Sequence, residues 1–151
     1  KKFFIHKEAK EYLKNSIFRA FSEFKWQIDD WVILDNHYHL MVESTDSPTD
    51  LVRIIRRIHR FSAIWLKKNY NDFNAPGRIW YNYWDTCISI EKSYFNRLNY
   101  IWFNPVKHGY VEYSEDWKFG SYYTRVKEDE KETKKIINQY RIEKVNIKDD
   151  F

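Results

Sequence analysis

One cysteine, three glycines and three prolines in a chain of 151 residues exclude several common architectures. The lone Cys87 rules out an internal disulfide framework and fits a reducing cytosol. With so little Gly and Pro the chain is neither collagen-like nor low-complexity, and it has no Gly-, Ser- or Pro-rich linker. No apolar run approaches the roughly 18–20 residues of a membrane span, and no signal-peptide pattern opens the chain. It starts on Lys1-Lys2-Phe3-Phe4 without an initiator methionine, as a trimmed chain would. No internal repeat is present.

Aromatic residues, by contrast, make up 20% of the chain. That abundance points to a packed, element-rich domain rather than disorder, and the length suits a single domain. The formal net charge of +4 is a mild basic excess. It permits a nucleic-acid partner without demanding one, so the distribution of charge decides more than its sum.

The stretch Trp31-Val-Ile-Leu-Asp-Asn-His-Tyr-His-Leu-Met-Val42 reads as two apolar strands joined at Asp35-Asn36. Asp and Asn tolerate the left-handed backbone that a tight hairpin turn requires. Alternation along the second strand puts His37 and His39 on one face, with Met41 beyond them. Tyr38, Leu40 and Val42 point the other way and form the expected core face. Two imidazoles about 7 Å apart, at roughly 3.4 Å of rise per residue, can converge on one cation. By itself such a pair more often merely sits on a half-buried sheet.

The remaining elements follow from periodicity. Ala9, Tyr12, Leu13, Ile17, Phe18, Phe21 and Phe24 recur at helical spacing from about Lys7 to Lys25, with their stripe expected against a sheet. A strand is expected over Gln27–Leu34. Ser47, Pro48 and Asp50 signal the start of a helix running to about Lys68. Leu51, Ile54, Ile55, Ile58, Phe61, Trp65 and Leu66 form its apolar stripe. Arg53, Arg56, Arg57, Arg60, Lys67 and Lys68 occupy the opposite arc, with no acidic residue between Asp50 and Asp72. A face of one sign suits a phosphate backbone, although a charged helix face is often only solvated. Arg78 and Arg97 join this set as candidate DNA contacts.

Residues 69–77 read as a loop. Residues 78–88, aromatic and β-branched, read as a strand or short hairpin. Exposed Trp80, Tyr81, Tyr83 or Trp84 could stack on bases, worth about 1–3 kcal/mol each. A helix is expected from about Glu91 to Asn104, capped by Ser89 or Ser93 and ended by Pro105. Tyr94, Phe95, Leu98, Ile101 and Trp102 share one arc. Tyr100 falls on the other, between Asn96 and Asn104, where a packing tyrosine is not expected. A charged helix near Asp129–Arg141 closes the chain.

His37-Tyr38-His39 resembles the His-hydrophobic-His signature of HUH endonucleases. The strings Asn36-His-Tyr-His-Leu-Met-Val42, Gly77-Arg-Ile-Trp80, Trp84-Asp85, Tyr100-Ile-Trp-Phe-Asn-Pro-Val-Lys-His-Gly109 and Trp117-Lys-Phe-Gly-Ser-Tyr-Tyr123 resemble, in order, the REP-associated tyrosine transposases. The likeness runs from about Phe4 to Tyr123. It implies an α+β, ferredoxin-like antiparallel sheet with helices packed on one face, in a single domain. Residues 1–123 would form the catalytic domain and 124–151 a charged helical extension. The resemblance further implies His37, His39 and Asn104 as ligands of a divalent ion, Mg²⁺ or Mn²⁺, and Tyr100 as nucleophile. The implied reaction is cleavage and strand transfer of single-stranded or hairpin DNA through a 5′-phosphotyrosine, by a monomer or homodimer. A free phenol has a pKa near about 10, so such a nucleophile needs a nearby cation or base. The alternatives are a DNA-binding module of the same fold without turnover, and another HUH nuclease such as a relaxase or replication initiator.

Overall fold

A computed structural model of the chain describes residues 2–44, 48–73 and 77–140. By internal contacts the chain falls into two compact units. The first comprises Lys1–Asp29 and Ile33–Trp84. It holds α1 (Lys7–Glu23), most of the hairpin β1 (Trp26–Ile33) and β2 (Tyr38–Ser44), and α2 (Leu51–Asn69). The second comprises Asp30–Val32 and the chain from Asp85 onward, with α3 (Glu91–Lys107), α4 (Tyr122–Glu128) and α5 (Glu130–Gln139). Among the described residues the sheet has two antiparallel strands, so the α+β class holds. No described helix is long and apolar enough to cross a membrane.

In the first unit, α1 buries Ala9, Leu13, Ile17, Ala20 and Phe21, a stripe at three- and four-residue spacing. It packs against α2, which buries Ile54, Ile55, Ile58 and Leu66. Tyr12 stacks on Trp65 with ring centroids 4.7 Å apart. Two residues expected in these stripes, Phe18 and Phe61, are exposed at the stripe edges. A short 3₁₀ turn, Pro48–Asp50, leads into α2, and Asp50 is its N-cap residue without a side-chain cap bond. Ser47, the expected cap, lies outside the described residues.

Residues 78–88 are neither strand nor hairpin. Their aromatics are held by individual contacts rather than a backbone ladder. Trp80 lies parallel to His59 at 4.3 Å and donates its indole N–H to Ser62 Oγ at 2.8 Å. Ile79 is buried, while Tyr81 and Trp84 are exposed. Side-chain anchoring of this kind holds irregular chain in place without strand pairing, which composition alone cannot signal.

In the second unit, α3 continues through Pro105 to Lys107 rather than ending before it. Proline removes one intrahelical N–H bond, a small loss in the last turn. The stop comes at Gly109, whose φ of 68° is left-handed, and Tyr110 N–H bonds back to Pro105 O at 2.9 Å. Leu98, Ile101 and Trp102 are buried on α3, and Trp102 meets Tyr122 of α4 with centroids 5.3 Å apart. The charged helix expected near the end is α5, where Asp129 accepts a bond from Glu132 N–H at 2.9 Å. Phe95 of α3 stacks on Tyr140 at 4.5 Å.

Candidate active site

The hairpin positions the two histidines. Leu34 N–H bonds to His37 O at 2.9 Å across the Asp35-Asn36 turn. Neither turn residue is left-handed: the one non-glycine positive φ among the described residues belongs to Lys25. External contacts hold the turn instead. Asp35 O accepts the N–H groups of Phe3 and Phe4 at 2.9 and 2.7 Å. The Asp35 carboxylate pairs with the buried Lys10 ammonium at 2.7 Å and with Lys2 at 3.6 Å. That carboxylate is committed to a buried ion pair, a pairing that stabilises only while both partners are present.

His37, the residue just before β2, and His39 within it bring their rings together, the centroids 5.1 Å apart and the planes at 81°. The Nε2 atoms of both are shielded from solvent. His37 Nδ1 lies 2.8 Å from Asn36 Oδ1. An amide oxygen can only accept, so Nδ1 carries the hydrogen and Nε2 is left as the ligating nitrogen. Met41, on the histidine face, is the buried member of β2, whereas Tyr38, Leu40 and Val42 are half-buried. The expected core face is therefore only partly covered. Tyr38 donates its hydroxyl to His59 Nε2 at 3.0 Å, and its ring meets Trp80 at 5.4 Å. Burial pushes the Tyr38 phenol far above its ordinary range, with the nearby Tyr83 adding to it. Burial lowers the His59 imidazole to about 4, so it stays a neutral acceptor. This Tyr–His pair fixes the strand residue between the two histidines.

On α3, Tyr100 is 4% exposed and Asn104 fully buried, so these two members of the polar arc lie inside while Asn96 and Arg97 are half-buried. The helix buries Asn99, Tyr100 and Asn104 along with its apolar stripe. Both amide atoms of Asn104 lack a hydrogen-bond partner among the described residues. An orphaned buried amide calls for a ligand or ion in its place. Lys107 donates from Nζ to the Tyr100 hydroxyl at 3.2 Å, and the same ammonium lies 4.7 Å from the ring centroid.

The arginines of α2 are exposed, but not all are available. Arg53 pairs with Asp50 at 3.0 Å and Arg57 with Glu23 at 2.7 Å. Arg56 and Arg60 form no ion pair among the described residues, and Arg60 sits 5.9 Å from the Phe61 ring centroid. Lys68 is exposed and Lys67 half-buried. Arg78 is exposed, and Arg97 donates to Ser93 within α3. Sequence reasoning missed Asn36, His59 and Lys107. Only Lys107 carried a signal, its seven-residue spacing from Tyr100, two turns along one helix face.

The sequence model of the family described as "Transposase IS200 like" matches residues 1–101, a span that includes His37, His39 and Tyr100. This chain belongs to the IS200-like transposase family. The chain is 28% identical over 117 residues to the REP-associated tyrosine transposase of Escherichia coli K12. That alignment covers 76% of this chain and 65% of the relative. It is also 32% identical over 102 residues to a candidate REP-associated tyrosine transposase of Haemophilus influenzae, covering 63% of this chain and 58% of that protein. The chain thus spans 65% and 58% of the lengths of these two relatives. A solved structure of a REP-associated tyrosine transposase bound to a REP hairpin shares the fold, with a TM-score of 0.68 at 24% identity. The likeness covers 80% of this chain and 69% of that one. Asn104 and Lys107 lie beyond the stretch matched by the IS200-like family.

Proposed function

We propose that this chain is the catalytic part of a transposase that cleaves and rejoins single-stranded DNA at hairpin ends. In this reading Tyr100 is the nucleophile, and His37, His39 and Asn104 hold a divalent ion, Mg²⁺ or Mn²⁺. The observation that carries it is the imidazole pair, two rings 5.1 Å apart with shielded Nε2 atoms in a chain of the transposase family. The donor set fits such an ion in part. Neutral imidazoles suit a divalent cation when oxygen donors complete the set, and the unsatisfied Asn104 amide has an oxygen to give. A bound ion would supply Lewis acidity, drawing charge from a non-bridging phosphate oxygen.

The chain's own groups do the rest. Asn36 holds the His37 tautomer, and the Tyr38–His59 bond holds the strand between the ligands. Attack by Tyr100 Oη on phosphorus forms a tyrosyl O–P bond and breaks the P–O3′ bond. The downstream strand is left as a 5′-phosphotyrosine and the upstream strand as a free 3′-hydroxyl. One phosphodiester replaces another, so the step reverses when a 3′-hydroxyl returns. Exposed Arg56 and Arg60 would take backbone phosphates, as would Lys68 and Arg78. Hairpin DNA as the substrate class draws support from the REP hairpin in the related structure.

The test is incubation with a single-stranded hairpin oligonucleotide labelled at its 3′ end, with Mn²⁺ or with EDTA. A denaturation-resistant labelled adduct with Mn²⁺ and none with EDTA is expected. The second reading, a DNA-binding module without turnover, takes its support from the burial of Tyr100. Binding without an adduct under either Mg²⁺ or Mn²⁺ would favour it.

A further inference from the structure

We propose that Lys107 is a catalytic residue that hydrogen-bonds the Tyr100 phenol oxygen and stabilises the negative charge this oxygen bears on attack and on departure. The inference rests on Tyr100 being the nucleophile. Its basis is geometric. Lys107 Nζ donates to Tyr100 Oη at 3.2 Å, while the same ammonium stands 4.7 Å from the ring centroid. The contact joins an exposed lysine to a tyrosine that is 4% exposed. A charged donor acting on a shielded oxygen is worth more than one in water, because the surrounding dielectric is lower. Residues at i and i+7 lie two helical turns apart on nearly the same face, and Asn104 stands between them at i+4. The helix thus presents the phenol, an amide and an ammonium in one row.

The step balances without another reactant. The phenol proton passes to water, Oη forms its bond to phosphorus, and the P–O3′ bond breaks. The departing 3′-oxygen takes a proton from water, so no net proton is gained or lost. Lys107 remains an ammonium throughout and transfers nothing. In the reverse direction a 3′-hydroxyl attacks the phosphotyrosine and Oη leaves as a phenolate, which the same ammonium stabilises. Because the group acts on the oxygen in both directions, cleavage and rejoining should fall together when it is removed.

The test compares wild type, Lys107→Met, Lys107→Arg and Tyr100→Phe. Each is incubated in single turnover with the 3′-labelled hairpin oligonucleotide and Mn²⁺, with DNA affinity measured in parallel. Charge-assisted hydrogen bonds are worth about 1.5–3 kcal/mol, so Lys107→Met should slow adduct formation about 10- to 100-fold. Affinity should stay within about twofold, since a phosphate contact is not what is being removed. Lys107→Arg should recover most of the rate, because a guanidinium keeps both charge and donors. Unchanged melting would confirm that Lys107→Met is folded. If Lys107→Met forms the adduct at the wild-type rate, the proposal is overturned. It is also overturned if rate and affinity fall in parallel, or if Arg restores nothing while the protein stays folded. An adduct from Tyr100→Phe would instead overturn the underlying assignment of the nucleophile.

Discussion

Asp30 offers the sharpest test of how the second unit holds its longest helix. This fully buried carboxylate accepts from Trp102 Nε1 at 2.8 Å, Ser121 Oγ at 2.6 Å and Arg125 Nε at 2.9 Å. Arg125 Nη2 reaches the second oxygen at 2.5 Å, making the ion pair two-pronged. Trp102 stands two residues beyond Tyr100 on α3, so the cluster fixes the helix that carries the proposed nucleophile. Asp30→Ala strands the Trp102 N–H in the interior, at about 1–2 kcal/mol. Ser121 suffers less, because its hydroxyl also contacts Trp31 O at 3.2 Å. Removing one partner of a fully buried pair costs about 3–5 kcal/mol. The Arg125 side chain is 40% exposed, which reduces its share to about 1–2 kcal/mol. The sum is about 3 kcal/mol, or a fall in Tm of roughly 6–12 °C for a chain of this length. Asp30→Asn keeps an acceptor for Trp102 and should lose about half as much. Urea unfolding followed by tryptophan fluorescence, with thermal melting beside it, measures both variants. A loss below about 1 kcal/mol for Asp30→Ala, or equal losses for the two, would refute this account of the cluster.

Two further predictions concern the other unit. Arg56→Ala with Arg60→Ala should weaken binding of single-stranded DNA and flatten the slope of log affinity against log salt by about 1.4, at about 0.7 per phosphate. An unchanged slope would remove these residues from the DNA interface. The His59 imidazole, lowered to about 4 in the folded protein, takes its proton more readily when unfolded, near about 6.5. The unfolded state therefore binds more protons between those values, and stability should fall as pH drops from about 6.5 to about 4. The full linkage is about 3 kcal/mol, and His59→Phe should flatten that window of the stability profile by up to one proton. Equal slopes in the two proteins would show that His59 does not titrate as its burial implies.

The histidine face was legible because strand alternation has a period of two and admits no other placement of His37 and His39. The place of the turn before them was legible too, but not its backbone, since Asp35 is held by Phe3, Phe4 and Lys10 from far along the chain rather than by a left-handed conformation. The apolar stripes of α1 and α2 followed from periodicity, with errors at edge residues such as Phe18 and Phe61. Residues 78–88 misled because aromatic and β-branched composition reports a need for burial, and Trp80 meets it through Ser62 and His59. Helical placement put Tyr100 and Asn104 on one face, but burial depends on what covers that face, and no helical wheel contains it. Lys107 was not legible because Pro105 reads as the end of the helix, yet α3 continues through Pro105 and brings the Lys107 ammonium back to Tyr100.

The central claim is that Tyr100 becomes covalently joined to DNA. Trypsin cuts after Arg97 and Lys107, releasing Leu98–Lys107, a peptide with a single tyrosine. Mass spectrometry of the Mn²⁺-dependent adduct, after nuclease trimming of the DNA, should find the residual nucleotide mass on that peptide. A nucleotide found on any other tyrosine-containing peptide, with Leu98–Lys107 recovered unmodified, would contradict the assignment.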